Sequence, residues 1–151
     1  MARIFRLTAL AGILVLLVMG CNQTDKPEAP AVASVGILTC EYGGEGCTPG
    51  YWKNTEMHSC EWVRYAPTDD FDTVFGTNYF DPDRTLLEAL KTGGGGYDAL
   101  GRHGVAALLS AAHPDVDYAL TVQQVINAVR AGNKSLLVTY NEMGCPLGNC
   151  K

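Results

Sequence analysis

The chain has 151 residues, with 16 acidic and 11 basic side chains and a formal net charge of −5. This length allows one domain with short additional segments. An acidic surface repels both the phosphates of nucleic acids and anionic lipid headgroups, so the composition argues against a nucleic-acid partner.

The first 20 residues have the pattern of a secretory signal peptide. Arg3 and Arg6 form a basic start, and residues 7–19 are uncharged and mostly apolar. This run is shorter than the roughly 20 residues that a bilayer span needs, and Gly20 supplies a small residue before a cleavage point. Residues 1–20 are therefore predicted to be a signal peptide that directs export.

The cysteine after the signal peptide indicates a lipid anchor. Val18-Met19-Gly20-Cys21 resembles the bacterial lipobox, in which Cys21 would receive a thioether-linked diacylglycerol and become the mature N-terminus. The alternative is an ordinary secretory peptide that leaves Cys21 as a structural cysteine. Asn22 is not the aspartate of known inner-membrane retention signals, so the resemblance favours the outer membrane if the host is Gram-negative.

A flexible tether is predicted to follow the lipidated cysteine, over residues 21–36. The stretch from 22 to 36 is small, polar and proline-containing, without the apolar periodicity that could bury a core. The folded domain is expected over residues 37–151. Loss of Arg3 and Arg6 with the signal peptide leaves 9 basic against 16 acidic residues, a formal charge of −7.

Start and stop signals divide the first half of this domain. Thr48 is a candidate N-cap and Pro49 a favourable first residue for a short helix. Residues 54–80 lack periodicity and are predicted to be an ordered loop packed by its own aromatic rings. Asp81-Pro82 predicts the start of the next helix, and residues 93–96, all glycine, predict its end.

The second half of the domain shows clearer helical periodicity. Residues 97–113 place small and apolar side chains on one narrow face, which would allow a neighbouring helix to approach closely. Thr121 and Gln124 form a capping-box pattern for a helix up to Gly132, and a last helix is predicted over 135–143. The expected fold is mainly α: a small disulfide-stabilised helical domain with an irregular N-terminal loop region.

Four motifs in a fixed order carry a resemblance to a known family; they lie at residues 46–54 (G-C-T-P-G-Y-W-K-N), 85–96, 99–113 and 141–147. They resemble an uncharacterised family of secreted bacterial proteins with a C-T-P-G-Y-W-K-N-H signature. The resemblance covers residues 47–147 and implies a domain but no activity. Thr55 stands where the signature has its histidine, and His58 follows three residues later.

Export to an oxidising compartment makes disulfides the default for the cysteines after Cys21, namely Cys40, Cys47, Cys60, Cys145 and Cys150. With Cys21 lipidated, at most two bridges form, and one thiol is left over or pairs between chains. Without lipidation three bridges could form. The family resemblance favours Cys47 with Cys145, because both belong to its motifs, and leaves the second pairing open.

Histidines and acidic residues suggest two alternative functions. A small secreted hydrolase would use His103 or His58 with an acidic partner, although the chain has no Gly-x-Ser-x-Gly motif. A calcium-dependent adhesion module would use the aspartates crowded between the aromatic residues, which are Asp69, Asp70, Asp72, Asp81 and Asp83. These aspartates lack EF-hand spacing, and the favoured interpretation is helix capping by Asp81 or Asp83 within a solvated loop.

Metal and ligand sites have weaker support. His58 and Cys60 are close enough to share a metal, but the chain has no Cys-x-x-Cys or His-Glu-x-x-His motif, and no metal or other cofactor is predicted. Tyr51 and Trp52 are predicted to be core residues, or else to line a groove for a protein or carbohydrate ligand. The favoured function is an envelope lipoprotein with a non-catalytic helical domain for binding or structure.

Overall fold

The computed structural model describes residues 43–150, and this part of the chain is mainly helical, as predicted. It contains seven α-helices and one 3₁₀ turn, at Ser59–Glu61. The helices are α1 (Pro49–Trp52), α2 (Thr55–His58), α3 (Phe71–Phe75), α4 (Leu86–Lys91), α5 (Gly96–Ala112), α6 (Val122–Arg130) and α7 (Lys134–Asn141). Within 43–150 no helix is both long and apolar enough to cross a membrane. The predicted signal peptide, Cys21, the tether and Cys40 lie outside the described residues.

Helix α5 is the centre of the domain, and α1, α4, α6 and α7 all pack against it. The predicted close approach along its small-residue face is present. Gly104 faces Val129 of α6, and Gly101 faces the ring of Phe80. A Cβ on Gly104 would lie 2.7 Å from Val129 Cγ2, so α6 can pack at this distance only because the side chain is missing.

Two helix starts are fixed by capping boxes, one of which was predicted. Thr121 and Gln124 cap α6 reciprocally, which confirms that prediction. Helix α4 begins later than expected: Thr85 is its N-cap and Glu88 completes the capping box. Asp81-Pro82 lies in the preceding loop, so the prediction of a helix start there was wrong. The Thr85 hydroxyl and the Glu88 carboxylate satisfy the free backbone N–H groups, which Asp81 is too far upstream to reach.

The region 54–80 is not one loop, because it contains α2, the 3₁₀ turn and α3. Helix α3 is a single turn that Asp70 caps by accepting from the Thr73 N–H at 2.7 Å. After it, the Asp72 carboxylate accepts from the backbone N–H groups of Tyr79 at 2.8 Å and Phe80 at 3.1 Å. One buried carboxylate therefore holds the turn that follows α3.

Two disulfides join the start of the described domain to its end. Cys47, directly before α1, is bonded to Cys145, which is the pairing that the sequence analysis favoured, and Cys60 is bonded to Cys150. An isolated β-bridge between Gly46 and Gly144 lies beside the first bond. Disulfides persist in oxidising compartments, so this pair indicates an extracytoplasmic protein.

We expect Gly46→Ala to destabilise the domain by roughly 1 to 3 kcal/mol, because its Cβ would overlap the backbone carbonyl of Tyr140. Gly44→Ala is the matched control, since nothing lies within 4 Å of a Cβ at that position. Urea unfolding of both variants under oxidising conditions measures the difference. Equal midpoints would show that the chain near Gly46 can move away from α7 without cost.

Candidate functional site

Helix α1 directs Trp52 into the core and not onto the surface. Trp52 is fully buried, and its indole Nε1–H donates to the Ser110 hydroxyl at 3.2 Å. The same hydroxyl accepts from the Cys47 N–H at 3.2 Å. Trp52 is therefore a core residue, the first of the two roles predicted for it, and cannot line a surface groove.

Tyr51 lies under residues 144–150, which we call the strap. Its hydroxyl donates to the Gly148 carbonyl at 2.8 Å, and its ring stacks on His58 with centroids 3.8 Å apart. His58 Nδ1 lies 3.2 Å from the same carbonyl oxygen. Burial, with a smaller contribution from the nearby Glu61 carboxylate, raises the pKa of Tyr51 to about 12. Tyr51 thus fastens the strap, and His58 covers one face of its ring.

A second histidine, His113, is hydrogen-bonded to Glu61. His113 Nε2 lies 3.0 Å from Glu61 Oε2, and its Nδ1 accepts from the Asp115 N–H at 3.1 Å. Because Nδ1 is an acceptor, Nε2 carries the proton that is donated to Glu61. This pair fixes the 3₁₀ turn against the end of α5.

The histidines of the hydrolase hypothesis are not arranged as a catalytic set in the described residues. His58 contacts a carbonyl and a tyrosine, and the buried Nδ1 of His103 has no hydrogen-bond partner within 43–150. Ser110, the fully buried serine, accepts from Trp52 and Cys47 and bonds to no histidine. A serine mechanism needs a nucleophile within hydrogen-bond reach of its base, and this geometry does not supply one.

Three of the five aspartates of the calcium hypothesis serve separate local roles. Asp69 accepts from the Ala66 N–H at 2.8 Å, Asp70 caps α3, and Asp72 holds the turn after α3. Among residues 43–150, the only group of three or more metal-type ligands within 4.8 Å of one another is Cys60, Glu61 and Cys150. Its two sulfurs are bonded to each other. The aspartates therefore do not converge on one cation position.

An open pocket of about 550 Å³ lies between the α1–α2 corner and the end of α4. We call it the lysine pocket, and it is lined by Gly50, Lys53, Asn54, Thr55, Glu56 and Lys91. In contrast to Asp69, Asp70 and Asp72, none of its polar side chains forms a hydrogen bond or ion pair within residues 43–150. The polar side chains of this pocket are therefore available to a ligand.

Sequence reasoning missed this pocket. Lys53 and Asn54 stand in the first motif of the family resemblance and Lys91 in the second, but no spacing rule connects them. Only the packing of α1 and α4 against α5 brings the two lysines to one surface.

Comparison with known protein families, with characterised proteins and with solved structures gives no match for this chain. Its function is therefore inferred from the residues and their geometry.

Replacing Cys60 and Cys150 together by alanine should lower the free energy of unfolding by about 3 kcal/mol. With Cys47–Cys145 intact, the loop that this bond closes in the unfolded chain is about 18 residues, 13 from Cys47 to Cys60 and 5 from Cys145 to Cys150. Denaturant titration of the oxidised proteins tests this value. A loss below about 1 kcal/mol would mean that contacts of the strap, and not its bond, hold it in place.

His103 should make stability depend on pH below about 6.5. Burial, helped by the adjacent Arg102 guanidinium and Lys134 and opposed by Glu142, lowers the pKa of His103 in the folded state. The unfolded chain then binds the proton more readily than the folded protein does. The free energy of unfolding is therefore highest above the pKa of His103 in the unfolded chain and declines as pH falls through that value.

The measurement is the urea midpoint at about pH 7.5, 6.5 and 5.5, since these values bracket the pKa of an unfolded histidine. We expect the midpoint to fall in the native protein and to fall less in His103→Gln. Parallel declines in the two proteins would assign the pH dependence to other groups.

Proposed function

We propose that the protein is a lipid-anchored lipoprotein of the bacterial envelope whose helical domain binds a ligand without catalysing a reaction. Residues 1–20 are cleaved, Cys21 is acylated, and residues 21–36 tether the domain. The two disulfides support a location outside the cytoplasm. The resemblance to secreted bacterial proteins agrees with this location, and Asn22 favours the outer membrane in a Gram-negative host.

The observation that carries the binding role is the contrast between two sets of polar side chains. Three side chains suited to catalysis are occupied, since His58 and Tyr51 hold the strap and His113 is hydrogen-bonded to Glu61. Those of the lysine pocket are open to solvent and have no partner within 43–150. Unpaired polar groups around a concave surface are suited to hold a ligand by hydrogen bonds and charge.

An acidic domain cannot rely on electrostatic attraction to hold it at an anionic membrane. Residues 43–150 carry 7 basic and 13 acidic side chains. Attachment therefore depends on acyl chains, each buried methylene of which contributes about 0.8 kcal/mol, and two or more chains give stable anchoring.

Cys21→Ser should abolish acylation and release the protein from the membrane fraction when it is expressed in a bacterium that processes lipoproteins. Cys40→Ser is the matched control, and it should stay acylated and membrane-bound. Intact-mass spectrometry with membrane fractionation gives both results. A wild-type protein that carries no acyl mass and is found in the soluble fraction would overturn the anchor.

A further inference from the structure

We propose that the lysine pocket binds a saccharide that carries an anionic group, either a carboxylate or a phosphate. This inference rests on the proposed binding function and names the class of ligand. Four features of the pocket support it: its charge, its neutral hydrogen-bonding groups, its size and the rigidity of its walls.

The pocket gathers positive charge in a domain that is short of it. The described residues contain three lysines, and two of them, Lys53 and Lys91, line this one surface. The arginines are mostly engaged elsewhere: Arg84 with Asp98 at 2.6 Å, Arg102 with the Thr92 carbonyl at 2.6 Å and Arg130 with the Phe75 carbonyl at 2.6 Å. Two ammonium groups on the lining of one pocket, neither with a protein partner, attract an anionic group.

The remaining lining residues suit hydroxyl groups. Asn54 precedes α2, yet its side chain makes no capping bond, so both its amide N–H₂ and its oxygen are available. The Thr55 hydroxyl can donate or accept, and the Glu56 carboxylate accepts. A sugar presents hydroxyls that both donate and accept, which matches this mixture of groups. Glu56 also disfavours inorganic phosphate, because its negative charge repels the anion and phosphate brings none of the several ring hydroxyls of a sugar that could donate to the carboxylate.

Size and rigidity favour a small polar ligand. A volume of about 550 Å³ lies within the range of roughly 300 to 1,000 Å³ that is common for small-molecule sites. One wall is α1, which the buried Trp52 and the Cys47–Cys145 bond hold in place. The Lys53 N–H also donates to the Pro49 carbonyl at 3.1 Å, which fixes the backbone at the end of α1. A wall that is already ordered loses little conformational entropy on binding.

The test uses the mature full chain, purified in detergent from whole bacterial cells, and isothermal titration calorimetry with four probes. These are glucuronic acid, glucose 6-phosphate, glucose and inorganic phosphate. We expect one or both of the anionic sugars to bind at least tenfold more tightly than glucose and phosphate, with affinity falling as salt is raised. The two anionic sugars distinguish a carboxylate from a phosphate as the recognised group.

Substitutions of lining residues, compared with a lysine outside the pocket, test whether the sugar binds in the lysine pocket. Lys53→Gln and Lys91→Gln should each weaken the anionic sugar about tenfold, the effect of losing one charge-assisted contact. Asn54→Ala should weaken the anionic sugar but leave inorganic phosphate unchanged. Lys134→Gln removes the third described lysine, which lies at the start of α7, and should bind as the wild type does. Unchanged melting temperatures confirm that the variants are folded.

Three results would overturn the proposal: no binding of either anionic sugar by folded wild type, inorganic phosphate binding as tightly as the sugars, or Lys53→Gln and Lys91→Gln binding unchanged. Intact mass of the same sample reports acylation independently. An acylated protein that binds neither anionic sugar contradicts this inference but not the lipid anchor. A sugar-binding protein without acyl mass contradicts only the anchor.

Discussion

The fold depends on two disulfides that overlap along the sequence. Cys47 and Cys60 lie on either side of α1 and α2, and they are bonded in the same order to Cys145 and Cys150. Closing a loop of about 100 residues stabilises a domain by roughly 4 to 5 kcal/mol in the chain-entropy model, which is comparable to the total stability of many small domains. The bonds bring two short helices, too small to persist alone, against the end of the domain.

This covalent frame explains why so much polar chemistry in the domain is structural. Ser110 accepts from the backbone of Cys47 and the indole of Trp52, which places α1 against α5. Tyr51 and His58 meet at one carbonyl of the strap. Burying a polar group without a hydrogen-bond partner lowers the stability of the folded state, so the hydrogen bonds of these residues serve to stabilise the fold. The lysine pocket stands outside this network, and for that reason its groups remain open to a ligand.

Features that are local in sequence were predictable, and features assembled from distant residues were not. The capping box at Thr121 and the small-residue face of α5 were read correctly, because both depend on neighbours within one helix. Helices α2 and α3 were missed, since one turn is too short to show periodicity. The prediction from Asp81-Pro82 was wrong because this pair has the residue types of a helix start, although the N-cap is Thr85, four residues later. The second disulfide, the histidine partners and the lysine pocket join residues that no spacing rule connects.

The position of the strap has a consequence for biogenesis. A chain that emerges N-terminus first delivers Cys47 and Cys60 to the oxidising side well before their partners, which follow 98 and 90 residues later. Until then these two thiols are close neighbours along an unfolded chain, and the short loop between them makes a mispaired bond kinetically accessible. Correct maturation of this domain therefore favours a host that supplies a disulfide isomerase, or one that delays oxidation until translocation is finished.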